Sequence, residues 1–246
     1  MGIPRRHDRP PASLWAALFL LMAGGIAYLG WQIMVHPRTP LPPEWNPVVP
    51  LKIAHPLTPL TVWKLGRAEE EFATCLAALE GGAELERMEP YQGPGACGIA
   101  ARVRLSAVGP SGLDPVETSC PVALRLAMWN RHGVQPAAQE IFGQPVSVIR
   151  QLGSYNCRPV RTPSGRSTRL STHATAEAID ISGFDLADGR RIRLLSDWSD
   201  GGDAQRFLRA VRDSACTYFA TTLSPDYNNL HADHFHLQSR GRGACR

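Results

Sequence analysis

The sequence predicts an α+β domain with a mainly antiparallel sheet and flanking helices, set behind one transmembrane helix and a proline-rich linker. Three observations lead there. Helical and alternating segments follow one another without regular strand–helix–strand repetition, which points away from a parallel sheet. Leu14 to Val35 is a run of 22 residues without a formal charge, long enough as a helix to cross a hydrocarbon core of about 30 Å. Between His36 and Pro59 stand eight prolines, too many for helix or central strand and suited to extended polyproline-like segments.

The chain then divides into a cytoplasmic tail (1–13), an anchor (14–35), a linker (36–62) and a folded domain (63–246). Arg5, Arg6 and Arg9 precede the apolar run and only Arg38 follows closely. That bias keeps the N-terminus inside and sends the domain across the cytoplasmic (inner) membrane to the periplasmic side. A cleaved secretory signal is the competing reading. Its apolar region spans about 7–15 residues and ends at a small-x-small site, which Tyr28-Leu29-Gly30-Trp31 matches poorly; either reading exports the domain. At about 3.1 Å per residue the linker reaches up to roughly 70 Å.

In the domain, Phe72, Cys75, Leu76 and Leu79 fall at helical spacing and Gly81-Gly82 stops the run. Cys97 to Val108 alternates through Ile99, Val103 and Leu105 as a strand; Pro121 to His132, between Ser119 and Gly133, reads as a helix, with a shorter one from Pro136 to Gly143. Strands follow at Val146–Leu152, Ala178–Phe184 and Arg190–Leu195. A helix from Asp203 to Cys216 buries Phe207, Leu208, Val211 and Ala215, and a last strand includes His234–Leu237.

The six cysteines all follow the anchor and none stands in a C-x-x-C pair, so they read as disulfides of an oxidising compartment rather than as a zinc–thiolate cluster. Pairing by proximity in sequence gives Cys75–Cys97, Cys120–Cys157 and Cys216–Cys245. Residues 1–62 hold most of the formal net charge of +4, leaving about one positive charge after residue 62. The domain therefore has no overall basic excess for a nucleic-acid backbone.

Chemistry concentrates in Ser171-Thr-His-Ala-Thr-Ala-Glu-Ala-Ile-Asp180 and His231-Ala-Asp-His-Phe-His236. On an extended strand Asp180 faces away from Ile179 and Ile181, and His234 and His236 share a face with Phe235 and Leu237 behind. His173 lies in the polar loop entering the first strand. A histidine, a carboxylate and a His-x-His offer the N and O ligands of a catalytic zinc with one position left for water, which suits amide hydrolysis. His231, Asp233 and His234 are the candidates for the base; regular alternation favours His234, and a bulge would favour Asp233. His55 and His132 receive no role. Ser171 either orients His173 or forms the turn.

Ser171-x-His173-x-x-Ala176-x-Ala178-x-Asp180 with His234-x-His236 resembles the zinc peptidases of the D-alanyl-D-alanine carboxypeptidase and murein endopeptidase superfamily, with its lysostaphin-type and hedgehog-type members. Gly153-Ser-Tyr-Asn-Cys-Arg158, Ser182-Gly-Phe184 and Pro225-Asp-Tyr-Asn228 add a narrower resemblance, over roughly residues 70–246, to the bacterial extensin-like C-terminal domain family. The resemblance implies a zinc-peptidase-like fold, one zinc ion on His173, Asp180 and His236, further active-site roles for His231, His234 and Asp233, and Arg158 on a substrate oxygen. Ala176 stands where glycine is usual, and Gln238 where relatives often carry aspartate.

The function implied is a membrane-anchored, zinc-dependent hydrolase of peptide or amide bonds in cell-wall peptidoglycan. The alternative is a non-catalytic module that binds cell-wall polymer or an envelope protein, as the hedgehog-type likeness allows.

Overall fold

The computed structural model describes residues 12–162, 165–241 and 243–246. The chain divides between Val49 and Pro50 into two compact units. In the first, helix α1 (Ala12–Val35) is apolar on all sides and none of its membrane-length stretch is buried. Such a helix needs a non-aqueous surrounding, and it is long and apolar enough to cross a membrane. The same properties fit a signal sequence. Asn46 closes the following turn back on this helix by donating from Nδ2 to the Met34 carbonyl (2.8 Å). Arg5, Arg6 and Arg9, on which the orientation rests, lie outside the described residues.

The second unit, residues 50–246, starts within the proline-rich stretch instead of at Trp63. Leu51 and Ile53 are buried in its core, and Gly82 lies against Ile53, where a Cβ would meet Ile53 Cδ1 at 2.5 Å and displace that side chain. His132 Nε2 also lies 2.9 Å from the Ile53 carbonyl. Proline density excludes regular structure from this stretch but not packing.

Elements then follow as α2 (Thr61–Ala68), α3 (Phe72–Leu79), β1 (Ala83–Arg87), β2 (Tyr91–Gln92), β3 (Gly98–Ile99), β4 (Arg102–Val108) and β5 (Ser111–Ser119). Next come α4 (Cys120–Trp129), a π-helical turn at Asn130–Val134, α5 (Gln135–Phe142), β6 (Val146–Gly153), β7 (Pro159–Thr162) and β8 (Gly165–Leu170). After a 3-10 turn at Thr172–Thr175 come β9 (Ala178–Leu186), β10 (Arg191–Arg193), α6 (Leu194–Asp197), α7 (Asp203–Tyr218) and β11 (Thr221–Leu223). A 3-10 turn at Asn229–His231, β12 (Phe235–Gln238) and β13 (Ala244–Cys245) complete the chain.

The class is α+β as expected, and the sheet is mixed, with most of its strand pairs antiparallel. The order is β1-β4-β5-β6-β9-β12-β11-β13, with β10 beside part of β9. Among the described residues β5–β6 and β11–β13 are parallel and the other pairs of this sheet antiparallel. The pair β7–β8 forms a separate hairpin. Gly183 admits β10, since a Cβ there would sit 2.3 Å from the Ile192 carbonyl. Helices α4 and α7 bury Leu124, Leu126, Phe207 and Leu208 in the core, where Trp129 and Phe207 each meet Phe184 edge-on. The helix expected to stop at Gly133 runs on through the π turn into α5.

The disulfides are Cys75–Cys120, Cys97–Cys157 and Cys216–Cys245. Proximity in sequence gives only the last correctly. Helix α3 packs on α4, which brings Cys75 to Cys120 across the core, and Cys97 is thereby left for Cys157. The Cys75–Cys120 bridge closes a separation of 45 residues and restricts the unfolded chain. Its removal in Cys75→Ser/Cys120→Ser is expected to cost about 2–4 kcal/mol. Urea denaturation of the full chain measures this, and an unchanged midpoint and slope would contradict it.

Candidate metal centre

Antiparallel pairing of β9 with β12 sets Asp180 directly opposite His236. Their neighbours Ile179, Ile181, Phe235 and Leu237 are fully buried on the other face, so the alternation that buries the apolar side chains turns the carboxylate and imidazole to one side. His173 comes from the 3-10 turn ahead of β9. Ser171 caps that turn, its Oγ accepting from the His173 amide (3.3 Å).

Ala176 ends the same turn in the left-handed region, with φ 51°, as the one non-glycine residue of positive φ among the described residues. That conformation costs an alanine about 1–2 kcal/mol, partly offset by its fully buried methyl, worth about 0.8 kcal/mol. The Ala176 carbonyl accepts from the Ser119 amide (3.2 Å), tying the turn to the start of α4. His173 is then aimed by Nδ1–H donating to the Ser154 carbonyl (2.7 Å), which turns Nε2 towards Asp180 and His236.

His173 Nε2 lies 3.1 Å from His236 Nδ1 and 3.2 Å from an Asp180 oxygen, and His236 Nδ1 lies 2.8 Å from the other oxygen. These groups offer three ligand atoms within 4.8 Å of one another. Ligands about 2.0 Å from a tetrahedral zinc stand about 3.3 Å apart, so this triangle fits one face of such a site. Gln238 Nε2 approaches His236 Nε2 at 2.8 Å. An amide end carries both a donor and an acceptor, so Gln238 can serve the tautomer in which Nδ1 is free to ligate. It fills, with a neutral group, the position where the sequence offers no aspartate.

Protonation states suit ligation. Burial pushes the Asp180 carboxyl up, but hydrogen bonds and charge from His173 and His236 outweigh it and hold Asp180 well below the usual carboxylate range. Burial also pushes His236 down, against the opposing hydrogen bond and charge of Asp180. A carboxylate and a neutral imidazole are the forms a metal binds.

Of the other predicted residues, Arg158, His231 and His234 reach the same cavity, whereas Asp233 is exposed and meets it only through His234. His234 and Asp233 precede β12 rather than lying in it, so strand alternation does not govern them. His234 turns Nε2 towards Asp180 Oδ1 (3.7 Å), while its Nδ1 is 2.8 Å from Asp233 Oδ1. His231 stacks near His234 with ring centroids 5.2 Å apart, and its Nδ1–H donates to Asn228 Oδ1 (2.8 Å). Burial, followed by the nearby His234 and His236, pushes His231 down to about 4. Arg158 is half-buried, and burial lowers its pKa, followed by Arg161, with Asp180 acting the other way.

Arg158, Asp180, His231, His234 and His236 all line one cavity of about 470 Å³. His173 touches two of these ligands from behind. Sequence reasoning assigned no role to Ser154, Asn228 or Asp226, which act through a carbonyl, an amide and a carboxylate on neighbouring groups. Their signal lay in the Gly153–Arg158 and Pro225–Asn228 motifs. Asp226 accepts from Trp198 Nε1 (2.9 Å) and pairs with Arg209, with Arg212 at 3.6 Å, pinning the loop that carries Tyr227 and His231 to α7.

The family model described as Extensin-like protein C-terminus matches residues 73–246. No curated protein and no solved structure matches the chain.

Asp226→Asn weakens a partly exposed, charge-assisted anchor worth about 1 kcal/mol. Amide exchange at Tyr227–His231 is expected to accelerate roughly fivefold while α7 stays protected. Unchanged exchange in that loop would show that other contacts hold it.

Proposed function

The chain belongs to the extensin-like protein C-terminal family, and from that premise we propose that it is a zinc-dependent hydrolase of peptide or amide bonds in cell-wall peptidoglycan. The observation that carries the reading is the convergence of His173 Nε2, Asp180 and His236 Nδ1 within 4.8 Å, beside a cavity that also receives Arg158, His231 and His234. The resemblance of the Ser171–Asp180 and His234-x-His236 motifs to those of the carboxypeptidase and murein endopeptidase superfamily points to the same assignment. Helix α1 serves as an inner-membrane anchor, N-terminus inside, that holds the domain in the periplasm next to its substrate.

His173, Asp180 and His236 would hold a zinc ion, which would supply Lewis acidity to a carbonyl oxygen and lower the pKa of a bound water to about 7. His234 takes the proton of the attacking water on Nε2, because Asp233 accepts at Nδ1 and keeps the imidazole in that tautomer. As the water oxygen bonds to the carbonyl carbon and the C–N bond breaks, His234 returns the proton to the leaving nitrogen. Asp233 acts as the positioning residue. His231, neutral at neutral pH and held by Asn228, presents Nε2 as an acceptor for a substrate N–H. Arg158 offers a guanidinium to the carbonyl oxygen as negative charge develops.

Because Leu51 and Ile53 belong to the core, the full chain in detergent is the suitable preparation. It is expected to hold one equivalent of zinc and to release peptides or amines from purified sacculi, with both lost in His173→Ala and on chelation. His234→Ala should keep its zinc but slow release roughly a hundredfold or more. Gln238→Ala should weaken zinc binding about 10–100-fold. Zinc retention without release from any sacculus, together with sedimentation on sacculi that survives chelation, would favour the binding-module reading. Full turnover by His173→Ala would end the metal mechanism.

A further inference from the structure

One wall of the cavity is built by the β7–β8 hairpin, which stands outside the main sheet. Between Gln151 and Ala176 the sequence carries four arginines, Arg158, Arg161, Arg166 and Arg169, with no acid and no lysine. Arg158, Arg161 and Arg169 line the cavity. The domain as a whole has little net charge, so this is a local concentration.

Elsewhere the arginines near acids are paired: Arg102 with Glu117, Arg125 with Glu69, Arg150 and Arg193 with Asp185, and Arg209 with Asp226. Among the described residues none of Arg158, Arg161 and Arg169 forms an ion pair. The charge of these three side chains is thus not neutralised by ion pairs among the described residues. The remaining lining includes Leu223, Tyr227 and Leu230, and among the described lining residues the arginines all stand on or next to the hairpin.

We propose that the β7–β8 hairpin is a carboxylate-recognition arm, with Arg161 and Arg169 as specificity-determining residues that select peptides bearing a free carboxylate next to the bond presented to the metal centre. Planar guanidinium groups grip carboxylates through paired N–H donors, which a point-charge lysine does not reproduce. A cavity of about 470 Å³ admits a short peptide segment, which places one such carboxylate within reach of the arm while a neighbouring amide lies beside His234 and Asp180. The proposal rests on the hydrolase reading for what happens to the amide, but the recognition step needs no metal.

The test uses the full chain in detergent, stripped of metal by chelation. Two probes are compared by fluorescence titration at low salt: dansyl-alanyl-glutamyl-alanyl-alanine, with two carboxylates, and its glutaminyl, C-terminally amidated twin with none. Wild type is expected to bind the acid about tenfold or more tightly than the twin, and Arg161→Gln/Arg169→Gln to shrink that ratio to about twofold or less. Arg161→Lys/Arg169→Lys, which keeps the charge, should fall between, and Arg206→Gln, an exposed change on α7, should leave the ratio intact. Both arm residues are exposed, and an unchanged thermal midpoint for either pair of substitutions verifies the fold. Equal or undetectable binding of the two probes by wild type, or a ratio that survives loss of both arginines, overturns the proposal. Zinc-dependent release from sacculi by a chain that ignores the carboxylate would overturn the arm while leaving the hydrolase; acid-selective binding by a chain that never cleaves would do the reverse.

Discussion

The register between β9 and β12 is the constraint on which the rest of the site depends. With Asp180 opposite His236 and Ile179 opposite Leu237, one pairing decides both which side chains fill the core and which face the cavity. A slip of one residue would exchange the two sets, putting a carboxylate and an imidazole into the layer now held by Phe235 and Ile181. The burial of four apolar side chains therefore secures the site geometry. β9 is also held by β6 on its other side and by β10 near its end, so the strand that carries Asp180 is central and its register is specified from both edges.

The third member of the cluster depends on a different kind of restraint. His173 lies on no strand, and its direction comes from hydrogen bonds: Ser171 at the turn's start, the Ser154 carbonyl at Nδ1, and the Asn156 amide, which donates to the His173 carbonyl at 2.8 Å. Ser154 is fixed in turn through Thr118 (2.7 Å) and the Ala178 carbonyl (2.6 Å). These bonds are buried, where a satisfied polar network is stiff and a broken one costly. The left-handed Ala176 is tolerated because this network and the buried methyl over-determine the turn.

Much of this was legible in the sequence where a period of two or 3.6 was intact. The α3 and α7 stripes, the Val103–Leu105 alternation and the two faces around Asp180 and His236 all rest on such periods, whereas the single strand expected from Cys97 to Val108 breaks at a turn over 100–101, leaving Gly98–Ile99 paired with β2 in a separate sheet. β5 was not legible because Gly112, Asp114 and Pro115 read as a turn; the strand keeps them at an irregularity in the β4 pairing, with Asp114 and Pro115 exposed. The start of the domain was hidden because proline content reports backbone conformation and not the burial of Leu51 and Ile53. Disulfide partners depend on which helix packs on which, a three-dimensional relation that spacing along the chain does not contain. For the base, sequence alternation favoured His234 for a reason the fold does not use: His234 and Asp233 precede the strand, and a hydrogen bond between them settles their directions.

That pair and Gln238 divide the electrostatic work around the ligands. Asp233 is exposed and charged, so it can only accept from His234 and favours the tautomer that turns Nε2 inward. Gln238 is neutral and serves either tautomer of His236, so it orients the ring without adding a second negative charge beside Asp180. A carboxylate at residue 238 would raise the basicity of His236 and strengthen its hold on a cation, while making the site more negative. With an amide there, the negative charge at the centre of the cavity stays close to that of Asp180 alone, and the unpaired arginines of the hairpin face a weaker counter-charge. The neutral residue behind His236 and the cationic arm beside the cavity therefore act in the same direction: both leave positive potential available to an anionic group brought in from outside.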